Sequence, residues 1–211
     1  LKGTYIAMAH TLAHPTSSVS TSRVQALAAV ESFSRTLPGK AVVVLSASLF
    51  VAVAAHCTVP LPFTPVPLTL GDLAVLLVGL FLGPRLAFAA LALYLAEGAV
   101  GLPVFAPGLP GLAHFFGPTG GYLFAYPFAA AIAGFLARAF RRAPRFAAAG
   151  VAAFAASLLI MTSGAAWLGF YLHHSAALTF KLAVLPFLPG QIVKIVSAAG
   201  IYSATVIGRR A

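Results

Sequence analysis

The sequence predicts an all-α integral membrane protein with six transmembrane helices and a capped, outward-facing ligand pocket. The class rests on three observations. Of 211 residues, 61% are hydrophobic and only 8% are charged, with a mean hydropathy of +1.00, whereas a soluble domain carries about 25% charged residues. Apolar runs of near bilayer length recur from residue 41 onward, and the basic residues fall almost entirely between them. In hydrocarbon every backbone polar group must be paired internally, so only helices and closed barrels cross. These runs are too long and continuous for barrel strands, which alternate apolar and polar over roughly ten residues.

Residues 1–40 stand apart, being rich in Ser, Thr, Ala and His and only weakly apolar. The stretch 16–35 (TSSVSTSRVQALAAVESFSR) has the Ser-rich, Arg-bearing, acid-poor character of an organellar transit segment, and a disordered tail fits equally. Residues 41–211 are expected to form the transmembrane substrate-binding domain. A crossing needs about 20 residues for about 30 Å of hydrocarbon. Six runs qualify, at 41–59, 68–83, 84–102, 117–139, 146–172 and 182–207. The second and third meet at Gly83-Pro84-Arg85, a glycine stop followed by a proline start, which reads as a tight helical hairpin.

Cytoplasmic loops carry the excess of Lys and Arg. Lys2, Arg23, Arg35, Lys40, Arg85, Arg138, Arg141, Arg142, Arg145, Arg209 and Arg210 would share one side and Lys181 the other. Both termini are therefore expected to be cytoplasmic, in the cell membrane, or in an organellar membrane if residues 1–40 are a targeting segment. The formal charge of +10 does not indicate nucleic acid, because there is no basic helical face with interleaved aromatics. The one cysteine, Cys57, excludes an intrachain disulfide and has no metal-ligand spacing around it. It reads as a small packing residue.

The outer loops are long and nearly uncharged. Residues 58–67 (TVPLPFTPVP) hold four prolines, which forbid helix and favour a rigid extended path. Residues 103–116 (PVFAPGLPGLAHFF) mix Pro and Gly with aromatics, as an ordered cap over helix ends would. Gly117-Pro118-Thr119-Gly120-Gly121-Tyr122 opens the fourth run. Its small residues admit either a ligand or a neighbouring helix, and without a Gly-Lys-Ser/Thr ending it is no P-loop.

Gln191 and Lys194 share one helical face by their spacing of three. An intramembrane lysine is costly and marks function by default; the structural alternative pairs it with Glu97. Asp72, near the start of the second run, suits the positive end of a helix dipole. His56 reads as interfacial, as do His173 and His174. Ser48 and Ala52 form a small-xxx-small pair that lets another helix approach closely, within this chain or from another subunit.

With these pieces placed, the chain from residue 41 onward resembles the biotin S component (BioY) family of energy-coupling-factor (ECF) transporters. The residues that carry the resemblance are Pro62-Phe63-Thr64-Pro65-Val66-Pro67-Leu68-Thr69-Leu70, Leu82-Gly83-Pro84-Arg85, Tyr94, Gly98, Gly101-Leu102-Pro103-Val104-Phe105, Gly117 to Leu123, and Pro189-Gly190-Gln191-Ile192-Val193-Lys194. The resemblance implies a six-helix subunit that captures biotin from outside and delivers it inward with a transmembrane coupling subunit and ATPases. It needs no cofactor and no metal, and hydrolyses nothing itself. It implies a site drawn from Phe63, Thr64, Tyr94, Phe105 and Thr119, and from Gly120, Gly121, Tyr122, Gln191 and Lys194. The small pair Ser48 and Ala52, by its spacing, is the expected docking face for the coupling subunit. Two positions depart from the family pattern: Gln191 stands where the sixth-helix motif usually has Asp, and Glu97 where an apolar residue is usual.

The alternative class is a solitary ion-coupled carrier of biotin or another small vitamin, for which Glu97 and His56 would be the proton sites. An intramembrane enzyme has no support, since no nucleophile-base pair or metal-ligand constellation is present.

Overall fold

The structure, a computed structural model, describes residues 36–62, 64–107, 111–173 and 175–207. Seven α-helices lie among the described residues: α1 (Leu37–His56), α2 (Gly71–Leu82), α3 (Pro84–Ala99), α4 (Gly120–Ala139), α5 (Arg145–Leu172), α6 (Ala176–Ala183) and α7 (Leu188–Ile207). Two-residue strands β1 (Thr58–Val59) and β2 (Leu68–Thr69) pair antiparallel, Thr58 against Thr69 and Val59 against Leu68. Short 3-10 turns occupy Gly111–Phe116 and Leu185–Phe187.

The chain divides into Leu1–Val43 and Val44–Ala211. In the first unit the described residues form the opening turns of α1, where the Thr36 hydroxyl accepts from the Gly39 amide at 3.2 Å. That bond satisfies one of the amides a helix start leaves unpaired. All that follows concerns the second unit and α1 from Val44 on.

Among the described residues four segments are long and apolar enough to cross a membrane: α1, α4, α5 and the stretch Ala176–Thr205 that joins α6 to α7. The protein is thus a mostly helical, multi-pass membrane protein. Helix α2, with 12 residues, is about 18 Å long, and α3, with 16, about 24 Å, both short of the hydrocarbon thickness of about 30 Å. The expected second run begins at residue 68, but Leu68 and Thr69 are used in pairing with β1, so the helix starts only at Gly71. At its other end Gly83 takes φ 76° and Pro84 opens α3, as the Gly-Pro pair predicts.

Helix α4 lies at the centre, packed on α2, α3 and α5, while α7 packs on α5 and α2. The buried faces of α4 and α5 are rich in alanine: Ala129, Ala130, Ala133, Ala149, Ala152, Ala153 and Ala156 are wholly buried. Between two apolar phases helices associate by close van der Waals packing, which small residues permit. The approach of α2 to α4 is tight enough to require glycine, since a Cβ on Gly79 would lie 2.5 Å from the Ala130 carbonyl oxygen. Large apolar residues such as Leu49, Phe128, Phe135, Phe154 and Val193 point outward, which suits a lipid surround.

Helix α1 corrects two expectations. Ser48 is wholly buried and Ala52 5% exposed, and the Ser48 hydroxyl donates to the Glu97 carboxylate of α3. The small pair therefore faces the protein's own helices, and the outward stripe is Leu45, Leu49 and Val53. Cys57, expected to pack inside, is exposed. Ser48→Leu is expected to destabilise by about 1–3 kcal/mol through overpacking and loss of Glu97's donor. An unchanged melting temperature in detergent would count against this packing.

Candidate functional site

Four helices bring one polar cluster together inside an otherwise apolar bundle. Asp72 sits in the first turn of α2. The Lys194 ammonium of α7 reaches its Oδ2 at 2.9 Å, and the Gln191 amide nitrogen, one turn earlier on α7, donates to the same oxygen at 2.9 Å. The Tyr126 hydroxyl of α4 donates to Oδ1 at 2.7 Å. From α5, the Ser157 hydroxyl donates to Gln191 Oε1 at 3.0 Å, and the Met161 sulfur lies 3.4 Å from the Gln191 nitrogen. The Lys194 and Asp72 side chains are 6% and 14% exposed.

Burying two charges costs several kcal/mol per ion, and attraction offsets that only when the geometry is good and the remaining polar atoms are bonded. Here both carboxylate oxygens have donors and Gln191 uses both ends of its amide. The cluster is therefore a fixed, electrically neutral platform. It presents a carboxylate acceptor beside ammonium, amide and phenol donors.

This platform forms one end of a cavity. Tyr94, Tyr122, Leu123 and Phe187 give aromatic and apolar walls, and Val66, Pro67, Leu68 and Thr69 come in from the loop closed by the β1–β2 pair. Ala106, His114 and Thr119 line the end away from Asp72 and continue into a second hollow with Pro65, Pro107 and Pro118. Val66 and Pro67 of the proline-rich loop and His114 of the 3-10 turn thus line this cavity. The accessible volume is ≈ 50 Å³, well below the roughly 300–1,000 Å³ of an ordinary small-molecule site.

The structure places five of the expected site residues on this cavity: Tyr94, Thr119, Tyr122, Gln191 and Lys194. Phe105 stands behind it, edge-on to Tyr94 at 5.3 Å, and the buried Thr64 turns its hydroxyl to the Val66 amide within its own loop. Phe63 and His174 lie outside the described residues. Gly120 and Gly121 are packing residues, with a Cβ on the first falling 1.9 Å from the Phe115 carbonyl oxygen and on the second 2.2 Å from Trp167 Cβ. Their side of the helix start is filled by protein, held by Trp167 donating to the Gly117 carbonyl at 2.9 Å and Ser163 to that of Gly121 at 3.0 Å.

Glu97 is not the partner of Lys194, and Asp72 does more than complement a helix dipole. Glu97 and His56 are both absent from the cavity lining. His56 is exposed, with its Nδ1 2.8 Å from the Ala52 carbonyl oxygen of its own helix, and His173 closes α5 at φ 53°. Sequence reading missed Tyr126, Met161, His114 and Phe187 as lining residues. Only Tyr126 had a usable signal, its spacing of four from Tyr122 placing both rings on one face of α4.

The sequence profile of the BioY family matches residues 23–209. The chain is 40% identical over 152 residues to a Pyrococcus horikoshii protein named "Probable biotin transporter BioY", a match spanning 72% of this chain and 88% of that one. It is 37% identical over 172 residues to the biotin transporter BioY of Rhodobacter capsulatus, spanning 77% and 89%. The fold matches the crystal structure of the S-component for biotin from an ECF-type ABC transporter with a TM-score of 0.73, covering 79% of this chain and 89% of that one at 24% identity.

Proposed function

Because this chain belongs to the BioY family, we propose that it is the membrane-embedded subunit that binds biotin and passes it inward. The observation that carries the reading is the neutral Asp72–Lys194–Gln191–Tyr126 platform at the base of an aromatic-walled cavity. A ureido ring offers two N–H donors and one carbonyl acceptor and carries no charge. Asp72 can accept from it, and Lys194 or Gln191 can donate to it. Lys194 is already neutralised, so a ligand carboxylate is better placed toward His114 and Thr119. Residues 41–211 are the substrate-binding domain, with six membrane crossings that include the short α2 and α3, and the cavity opens outward beneath its cap.

The narrow cavity means that the loop 58–67 and the turn Gly111–Phe116 must separate to admit a ligand. Native mass spectrometry of detergent-purified protein is expected to show one bound biotin, displaced by excess biotin and not by other vitamins. Retention of a different vitamin would overturn the substrate while leaving the transporter reading. A transmembrane coupling subunit and ATPase subunits are the proposed partners, so ATP-dependent uptake is expected in vesicles only when these are present. Uptake by the chain alone would favour the solitary carrier.

Both termini are proposed to be cytoplasmic. A cysteine placed at Leu112 is expected to react with an impermeant reagent in intact cells when Cys57 has been replaced by Ser, whereas one at Arg141 is not. The opposite pattern inverts the orientation.

A further inference from the structure

At the end of the bundle opposite Asp72, α2 turns into α3 and α4 turns into α5. The two turns meet there, because the Arg138 guanidinium of α4 donates to the Leu82 carbonyl at 3.1 Å and lies so close to Gly83 that a Cβ would fall 1.9 Å from its Nη2. Arg138 thereby satisfies a carbonyl at the negative end of α2. Arg85, Arg141 and Arg142 are exposed and Arg145 is half-buried. Among the described residues none of these four guanidinium groups has an ion-pair or hydrogen-bond partner.

Among the described residues there is also no carboxylate nearby to balance them. The described carboxylates are Asp72 and Glu97, in the first turn of α2 and the last turn of α3, about 16–20 Å along those helices from the hairpin. That exceeds the Debye length of about 8 Å at physiological salt, and Asp72 is already paired with Lys194. Around the arginines, Phe81, Phe135, Phe140 and Phe146 are between 44% and 62% exposed. Unbalanced guanidinium groups rimmed by outward phenyl rings match a molecule with an anionic head and apolar chains.

We propose that this end of the bundle is a seat for anionic phospholipids of the bilayer, with headgroup phosphate held by Arg85, Arg141, Arg142 and Arg145 and acyl chains against the phenylalanines. The planar guanidinium presents paired donors that fit phosphate oxygens. Attraction to an anionic membrane surface is worth roughly fivefold per arginine, so removing three is expected to cost on the order of a hundredfold in preference.

The test is native mass spectrometry of the full chain released from mixed micelles of phosphatidylglycerol and phosphatidylcholine. The expected result is retention of phosphatidylglycerol in strong excess, lost in the variant Arg141→Gln, Arg142→Gln, Arg145→Gln at an unchanged melting temperature. Should that variant fail to fold, the unaltered protein is exchanged at about 1 M salt, where the Debye length is about 3 Å, and the excess should collapse. Equal retention of the two lipids, or an excess that survives both the substitutions and the salt, overturns the proposal.

Discussion

Lys194→Met is expected to lower stability by about 3–5 kcal/mol, because it leaves the Asp72 carboxylate uncompensated among buried residues. The same change should weaken biotin binding by roughly ten- to a hundredfold, the equivalent of one charged hydrogen bond of about 1.5–3 kcal/mol. The two losses are separable by their rescue. With Asp72 as the counter-ion at 2.9 Å, Lys194→Met combined with Asp72→Asn should regain most of the melting temperature but little of the affinity. Lys194→Met combined with Glu97→Gln should regain neither, since Glu97 is bonded to Ser48. Thermal melts and calorimetric titration on the three variants decide it. Rescue by Glu97→Gln, or an unchanged melting temperature in Lys194→Met, would remove the platform from the site.

The second large effect is expected at Gln191. From the resemblance alone, Gln191→Asp restores the acid it implies at this position of the sixth-helix motif and looks harmless or beneficial. The structure reverses that expectation. Gln191 donates its amide to Asp72 at 2.9 Å, and an aspartate there would replace a donor by a second carboxylate beside the first, with one lysine between them. Two like charges about 5 Å apart repel by roughly 3 kcal/mol at an effective dielectric of 20. Gln191→Asp should therefore lower both stability and affinity by more than tenfold in binding. Adding Asp72→Asn, which moves the single carboxylate from α2 to α7, should restore both. If Gln191→Asp alone binds as well as the unaltered protein, the carboxylate of Asp72 is not the acceptor the site depends on.

This reversal shows where local pattern stops being informative. Gln191 and Lys194 could be paired on one face from their spacing because both lie on one helix, whose period is fixed. That Asp72 is the residue they face could not be read the same way: it is 119 residues from one and 122 from the other, and nothing in the order of residues says that α2 packs on α7. Glu97 was the natural candidate from depth alone. The glycines of the fourth helix start show the same limit, since close approach by a ligand and close approach by Trp167 demand the same absence of a Cβ.

The sequence by itself determined the solvent, the class, and the Gly83-Pro84 turn at which one helix ends and the next begins. Those follow from how many apolar residues stand together, from glycine and proline at Gly83-Pro84, and from the cost of leaving backbone groups unpaired in hydrocarbon. Its motifs also determined the family. Only the tertiary structure decided that two of the helices are too short to reach across the bilayer by length alone, that Ser48 turns inward, and that Asp72 completes the polar platform. The physical reason is that solvation and backbone geometry act locally along the chain, whereas a charge in an apolar interior is stabilised by whichever partner packing brings within about 3 Å, and that choice belongs to the arrangement of all the helices at once.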